Sequence, residues 1–457
     1  MEESIAKTIS DFVAKLNYKN LPEPVVTDAK KRIIDTVGCA ISAIGGEDSS
    51  ILIRTMDDFG KDGYSTVIGS SLKKSSHVAS LINSFLSHSL EMDDSLPAVG
   101  HIGAIVIPTA LALGEELGSS GSEIITAIVA GYEVTSRLGR INLTGHIQNK
   151  GFHPTGINGV LGASATAARL MSLSIEQTTN ALGIAAGFSS GLLEAVNDGS
   201  WTKRLNPGMA SYNGIFSAKL AKNGFQAPKK IFEGRLGFFN AYAGKIPTLD
   251  DIKVGLGERF LITESKFKPF ASCKIIHPAI DATLSIIREN KIDPHNVKEI
   301  VVRLQSNGIP LVSDETKKKP DNQVQAQFST FYMVAYTLTN RGPPMLSAIE
   351  RTSFTRSEIL DLADRVKVIS DPDLDAEATT ESLNRVSIVD IMLEDGRKFS
   401  HRSSDNFDSL SMGGVIEKFN SITSRVIDMD QRRILLENFQ NLEKYERLND
   451  IMGLLPH

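Results

Sequence analysis

Cysteine is scarce. The 457-residue chain has two, Cys39 and Cys273, too few for a disulfide framework or a cysteine-rich zinc site. A reducing, cytoplasmic setting is the expectation that follows. Long apolar runs are also missing. The most apolar uncharged stretch, residues 103–114, is too short to cross a bilayer and carries Pro108. The opening MEESIAKTISDFVAKL lacks the basic-then-apolar layout of a signal peptide, so neither export nor membrane insertion is expected. Basic excess is absent as well. Forty-nine Lys and Arg stand against 54 Asp and Glu, a net charge of −5, which argues against a general nucleic-acid binder. There is no Walker A loop, no H-E-x-x-H pair and no Cys-x-x-Cys pair, and the glycine-rich stretches do not follow a strand as a dinucleotide fold requires. No fixed-period repeat marks a solenoid.

What remains is an ordinary globular composition, 41% hydrophobic and 23% charged, with ample material for a large core. The first part reads as helices. Ile5, Ile9, Phe12, Val13 and Leu16 recur at helical spacing. Pro22 and Pro24 mark a second helix start, and Gly45-Gly46 its halt. YSTVIG, 64–69, reads as a short strand. HVASLINSFLSHSLEM is helical in period and delivers Glu91, Asp93 and Asp94 at its end; another helix follows Pro108, and Ser122 is the expected N-cap of the next. Residues 156–170 form a helix with almost no side-chain bulk. Glycine costs roughly 1 kcal/mol against alanine there, which makes sense where another backbone comes close. Near residue 265 the pattern changes. VKEIVVRL and DRVKVIS alternate like strands, and RVSIVDIMLEDGRKFSHR reads as a hairpin turning at Asp395-Gly396. HPAIDATLSIIREN and QVQAQFSTFYMVAYTLTN are helical, and DETKKKPDN, 314–322, is expected to be a solvated loop. Residues 413–457 are helical again and should return to the first part. The expected class is therefore all-α followed by α+β.

Chemistry-bearing residues stand in apolar, glycine-rich settings: His101 in PAVGHIGAIVIP, His153 in KGFHPTGINGV, Lys203 in GSWTKRLNPG, and Lys268 in FKPFASCKIIHP with Cys273, Lys274 and His277 behind it. Singly, each has a plain reading as a hydrogen-bonded core histidine or a surface lysine. Asp93-Asp94 near His101 could hold a divalent ion, but such spacing is common, and no metal is assigned. Together the four suit an anion site, in which lysines and histidines hold carboxylates and a histidine moves a proton near neutral pH.

The runs LEMDDS, HIGAIVIPTALALGE, IVAGYEVTSRLGR, GFHPTGINGVLGASATAARL, TKRLNPG, EGRLGFF, FKPFASCKIIHPAIDA and AQFSTFYMVAY resemble the MmgE/PrpD family in the expected order over most of the chain. That family includes 2-methylcitrate dehydratase, cis-aconitate decarboxylase and iminodisuccinate epimerase. The resemblance implies a large helical domain from 1–265 and 413–457 with a smaller α/β lid, 266–412, inserted before the C-terminal helices. It implies a homodimer, no metal or organic cofactor, and a site in the cleft between the two parts.

By motif, Glu91, Asp93, Asp94 and Ser95 match the L-[DE]-x-D-D-[TS] run, and His101 matches the histidine of H-P-[GS]-A with Ile102 in place of proline. His153, Lys203 and Lys268 match the remaining functional positions. Cys273 stands where cis-aconitate decarboxylases place a histidine, and Asn206 where many relatives carry one. The resemblance thus gives His101, His153, Lys203, Lys268 and Asp93 catalytic roles, and makes Glu91, Ser95, Cys273, His277 and Tyr332 substrate contacts. The expected activity is a cofactor-independent hydro-lyase of the 2-methylcitrate dehydratase kind on a small di- or tricarboxylate, by proton abstraction next to a carboxylate. An epimerase or isomerase, a decarboxylase of the cis-aconitate type, and a non-catalytic organic-acid binder are the alternatives.

Overall fold

The helix expected over the first sixteen residues runs from Ile5 to Lys15, with the Ser4 side chain accepting from the Lys7 amide as N-cap. The computed structural model describes residues 3–59, 63–97, 99–141, 146–377, 385–405 and 410–456. The second helix, Glu23–Ser42, has proline in its first turn, where the missing N–H costs nothing. YSTVIG contributes Ser65–Thr66 (β1), which pairs antiparallel with Lys73–Lys74 (β2). Ser76–His88 follows. The next helix starts earlier than Pro108 and spans Gly103–Leu117 with that proline inside. Gly121–Ile141 comes after it. Its cap is Ser120 rather than Ser122: Ser120 exchanges bonds with Glu123, whose carboxylate accepts from the Ser120 amide at 2.8 Å. The reciprocal Ser-x-x-Glu box outcompetes a serine that lies one turn position too late.

The small-residue helix runs from Pro154 to Leu170 and is buried along nearly all its length. Its neighbours come close enough to explain the composition. A Cβ at Gly162 would sit 1.9 Å from Thr135 Oγ1, and one at Gly159 would sit 2.0 Å from Ile105 Cδ1. On another side Gly214, in the helix Thr202–Lys222, lies against Ala163. Small residues here trade helix propensity for close approach of the packed helices. Residues 187–191 spell Gly-x-Ser-x-Gly, but they leave the helix Ile175–Ala186 rather than a strand, so the strand-to-helix turn of a hydrolase nucleophile elbow is not formed.

The later segment carries a four-stranded mixed sheet in the order β4-β3-β5-β6. β3 is Val297–Leu304, β4 Val366–Ser370, β5 Val386–Leu393 and β6 Lys398–Ser404. β3 and β4 are parallel, while β5 and β6 form the antiparallel hairpin with Gly396 at φ +88° in its turn. The helices His277–Glu289 and Thr330–Asn340 pack beside this sheet. The periodic run before Thr330 breaks at Ser329, whose hydroxyl caps the new helix through the Tyr332 amide at 3.0 Å. The charged segment 314–322 is mostly exposed, with a departure at Lys317. It contains a 3₁₀ turn, Glu315–Lys318, and Lys317 is buried with its ammonium donating to the Leu311 carbonyl at 2.9 Å. A long aliphatic stem lets a lysine bury itself when its head finds a carbonyl.

Two large hydrophobic clusters result. One joins residues between Ile5 and Phe267 with Val415, Phe419, Leu435, Phe439 and other C-terminal side chains. The second is built mainly from residues between Phe270 and Leu393. The helices Met412–Thr423 and Met429–Gln440 thus pack on the helical body. Gln327 ties the clusters together. Its carbonyl accepts from the Cys273 amide at 2.9 Å, and its side chain reaches both Arg204 and the Ser89 carbonyl. Among the described residues, no helix is long and apolar enough to cross a membrane.

Candidate active site

The loop after the Ser76–His88 helix is held in an unusual path. Glu91 has φ +53°, a left-handed conformation that L-residues adopt at a cost. Several anchors fix it. The Asp94 carboxylate accepts from the Gly103 amide at 2.8 Å, the Tyr132 hydroxyl at 2.8 Å and the Ser265 hydroxyl at 2.7 Å. Asp94 is therefore a fastening for the loop. The Lys418 ammonium, from the C-terminal return, donates to the Met92 carbonyl and to Asp35. Ser95 exchanges two backbone bonds of 2.8 Å with Lys266, and the chain doubles back at Gly100. Gly100 has φ +122°, and a Cβ there would lie 2.8 Å from the Thr155 backbone. That close approach lets the His101 amide donate to Thr155 Oγ1 at 3.2 Å.

These anchors aim Glu91 at two lysines. Lys268 donates to Glu91 Oε2 at 2.8 Å, and Lys203 bonds Oε1. All three are buried. Burial opposes ionisation of Glu91, but the adjacent ammonium groups of Lys203 and Lys268 outweigh it and hold the carboxyl well below the usual range. Burial likewise pulls Lys203 down, with Glu91 opposing. Lys268 stays raised because Glu91 and Asp93 outweigh its desolvation. Lys203 also lies 2.7 Å from His88 Nε2 and 5.3 Å from the centre of the Phe328 ring.

His88 is the residue that motif reading missed. It is the last residue of its helix, fully buried, and engaged at both nitrogens: Nε2 accepts from the Lys203 ammonium, and Nδ1 lies 2.9 Å from Asp93 Oδ2. Burial and then Lys203 pull its imidazole down to about 4. Asp93 also meets His101, whose Nδ1 is 3.2 Å from the same oxygen. Burial opposes the Asp93 charge, yet His88 and His101 hold its carboxyl well below the ordinary range. His101 Nδ1 is also 3.1 Å from the Asp94 carbonyl, which only accepts. In the neutral ring Nδ1 therefore carries the proton and Nε2 the lone pair. The ligand atoms of His88, Asp93 and His101 lie within 4.8 Å of one another, a spacing a metal could use. The Lys203 ammonium on the far nitrogen of His88 sets a positive charge against a cation there.

A cavity of about 90 Å³ opens beside this cluster, between the two hydrophobic bodies. Glu91, Ser95, His101, His153, Lys203 and Cys273 line it. Thr155, Lys274, Phe328 and Arg385 join them. Burial pushes Lys274 down to about 7 against the pull of Asp405, and burial pushes the Cys273 thiol up. Burial and Lys203 hold His153 well below the ordinary histidine range, so its ring is neutral. Lys268 and Asp93 lie behind the wall and act on it through Glu91 and His101. Two expected contacts belong elsewhere. Tyr332 is buried with its hydroxyl donating to the Ala348 carbonyl at 2.6 Å. His277 is buried with Nε2 at 3.2 Å from the Ser272 carbonyl, its ring against Phe270. Neither lines the cavity, because each sits on the core-facing side of its helix.

Comparison with known proteins identifies the family. Residues 7–248 match the MmgE/PrpD N-terminal domain and residues 270–444 the MmgE/PrpD C-terminal domain. The chain is 23% identical to "Cis-aconitate decarboxylase-like protein oryM" of Aspergillus oryzae, over 99% of this chain and 98% of that one. It is 24% identical to a cis-aconitate decarboxylase of Aspergillus terreus, over 99% and 96%. The human cis-aconitate decarboxylase is 26% identical over 100% and 95%. With both family domains matched in order, and with the lysines, histidines and acidic loop gathered at one cleft, the chain belongs to the MmgE/PrpD family.

Proposed function

We infer that the chain is a lyase acting on a small di- or tricarboxylate, and specifically a hydro-lyase of the 2-methylcitrate dehydratase kind. One observation carries the reading: the His101 lone pair, backed by Asp93, faces the same small cavity as the Lys203 ammonium. Removing a proton next to a carboxylate builds charge on that carboxylate. A preorganised cation aimed there stabilises the transition state more than the substrate, by about 3 kcal/mol per good donor. Lys203 is that cation, and Lys268 and Glu91 hold it in place. Arg385 and Lys274 on the wall supply charge for the remaining carboxylates.

The step balances within this set. His101 Nε2 takes the proton, and the C–H electron pair becomes the new double bond as the carbon–oxygen bond to the adjacent hydroxyl breaks. The hydroxide leaves as water with the proton from the His101 imidazolium, which Asp93 stabilises meanwhile. The 266–412 segment serves as a lid in this reading. Closure replaces the hydration shell of a polyanion with fixed donors. A homodimer and a cytoplasmic location are further proposals carried by the family resemblance.

Decarboxylation is the second reading, favoured by the names of the matched relatives. It needs a proton donor at the new carbanion but no base. Cys273 in place of the histidine that cis-aconitate decarboxylases carry there weighs against it. Proton NMR in D₂O with 2-methylcitrate, citrate, cis-aconitate, tartrates and substituted succinates separates the readings. A new alkene with loss of water is the expected result. Loss of CO₂ would replace the hydro-lyase with a decarboxylase, and deuterium uptake without elimination would replace it with an epimerase.

A further inference from the structure

Two histidines face the cavity, and their partners differ in kind. Behind His101 are acceptors, the Asp94 carbonyl and the Asp93 carboxylate. Behind His153 is a donor. Asn206 Nδ2 lies 3.0 Å from His153 Nδ1 and also donates to the Leu192 carbonyl at 3.2 Å. A carbonyl accepts only, so the contact with Leu192 sets which end of the amide is nitrogen. The second hydrogen of that nitrogen then points at His153 Nδ1, which must carry a lone pair. The proton of the neutral ring is left on Nε2.

The surroundings hold this arrangement. The His153 amide donates to the Gly191 carbonyl at 2.9 Å, fixing the backbone beneath the ring. Asn206 fits into space that two glycines leave. A Cβ on Gly191, at φ +125°, would lie 3.0 Å from the Asn206 side chain, and one on Gly156 would lie 3.4 Å from Asn206 Cβ. The groups facing His153 are Lys203, His88, His101 and Glu91, and His88 stacks at 5.7 Å between ring centres. Burial and then the Lys203 ammonium, with Glu91 opposing, disfavour a second proton on the ring.

We propose that Asn206 is a positioning residue that locks His153 as a neutral Nε2–H donor, so that the two cavity histidines cannot exchange roles. His101 takes the proton and His153 only donates a hydrogen bond. This rests on the proposed proton abstraction and deepens it. A neutral imidazole N–H stabilises the charge that builds on the substrate carboxylate without surrendering its proton. An aspartate at 206 would accept instead, drawing the proton onto Nδ1 and turning a lone pair toward the substrate.

The test reads the ring directly, without substrate. In protein labelled with ¹⁵N at histidine, the His153 signals are assigned by their loss in His153→Asn. The expected wild-type spectrum at pH 7 shows a protonated Nε2 and a bare Nδ1. Asn206→Asp should invert that pattern or give a doubly protonated ring. Asn206→Ala should leave a mixture of tautomers, with circular dichroism confirming that both variants fold. A wild-type ring protonated at Nδ1, or an Asn206→Asp ring unchanged from wild type, would overturn the proposal. The kinetic consequence is a fall in kcat of about 10- to 1,000-fold in Asn206→Asp with KM nearly constant. If the NMR panel instead shows a different reaction while the ¹⁵N pattern holds, the reaction assignment fails and the tautomer lock stands.

Discussion

Acidification from pH 7.5 to 5.5 should remove about 4 kcal/mol of folding stability, and the buried histidines are the reason. His88 is pulled to about 4 by burial and then by Lys203. His153 and His277 are held well below the ordinary histidine value, both chiefly by burial. In the unfolded chain each returns to about 6.5. Through the window from 6.5 down toward the folded values, the unfolded state binds protons that the folded state refuses. Stability therefore rises with pH and is lost as pH falls. Each such histidine costs between about 1 and 2 kcal/mol at pH 5.5 and little at pH 7.5, which for three gives about 4 kcal/mol. Asp35, raised by burial to about 6, works the other way, because the folded state then binds the proton first; it returns about 1 kcal/mol. Lys274, lowered to about 7, removes about as much again. Urea unfolding followed by circular dichroism at the two pH values gives the loss. Potentiometry at pH 5.5 should count a net uptake of about two protons on unfolding, and His88→Gln should take up about one fewer. A midpoint independent of pH, or an uptake in His88→Gln equal to wild type, would refute the assignment of these rings as buried and neutral.

Three other outcomes follow from the packing. Tyr332→Phe should leave KM unchanged and cost about 1 kcal/mol, the lost bond to the Ala348 carbonyl; a raised KM would put Tyr332 back at the substrate. Gly162→Ala should cost about 1–3 kcal/mol in thermal unfolding, because its methyl meets Thr135 Oγ1 and the Gly131 carbonyl. Lys418→Met should cost about 3–5 kcal/mol by stranding the Asp35 charge. In urea unfolding, Asp35→Leu combined with Lys418→Met should recover most of that loss, whereas a double variant as unstable as the single would show that the Met92 contact dominates.

Helices and strands were legible because their apolar periods are long and their punctuation is strong. Pro22, Gly45 and Asp395-Gly396 mark boundaries that the fold keeps. Motif reading likewise found Glu91, His101, His153 and Lys203, which meet at the cavity. Other features depend on three-dimensional neighbours and were not legible. His88 lies 115 residues before Lys203, and nothing in LSHSLEM announces that partner. Tyr332 and His277 sit in helices, where periodicity marks a buried face without saying whether core or cavity lies beyond it. Lys317 looked solvated because its charged neighbours are, yet a carbonyl six residues earlier holds it inside. The left-handed turn at Glu91 has no glycine to signal it. The tertiary anchors around Asp94 impose it.

The brace from Lys418 to the Met92 carbonyl spans 326 residues of sequence. During synthesis, the loop that presents Glu91 is made long before its support. At about 5–20 residues per second, the ribosome needs roughly 15–65 s to travel from Met92 to Lys418. Over that interval the helical body can begin to pack, but the acidic loop lacks the cation that holds its strained turn. Until the C-terminal helices dock, the nascent chain should hold the Glu91 loop only through its Asp94, Lys203 and Lys268 contacts. Docking of the C-terminal return and the final bracing of the site then become one event, so the site matures later than the scaffold that carries it.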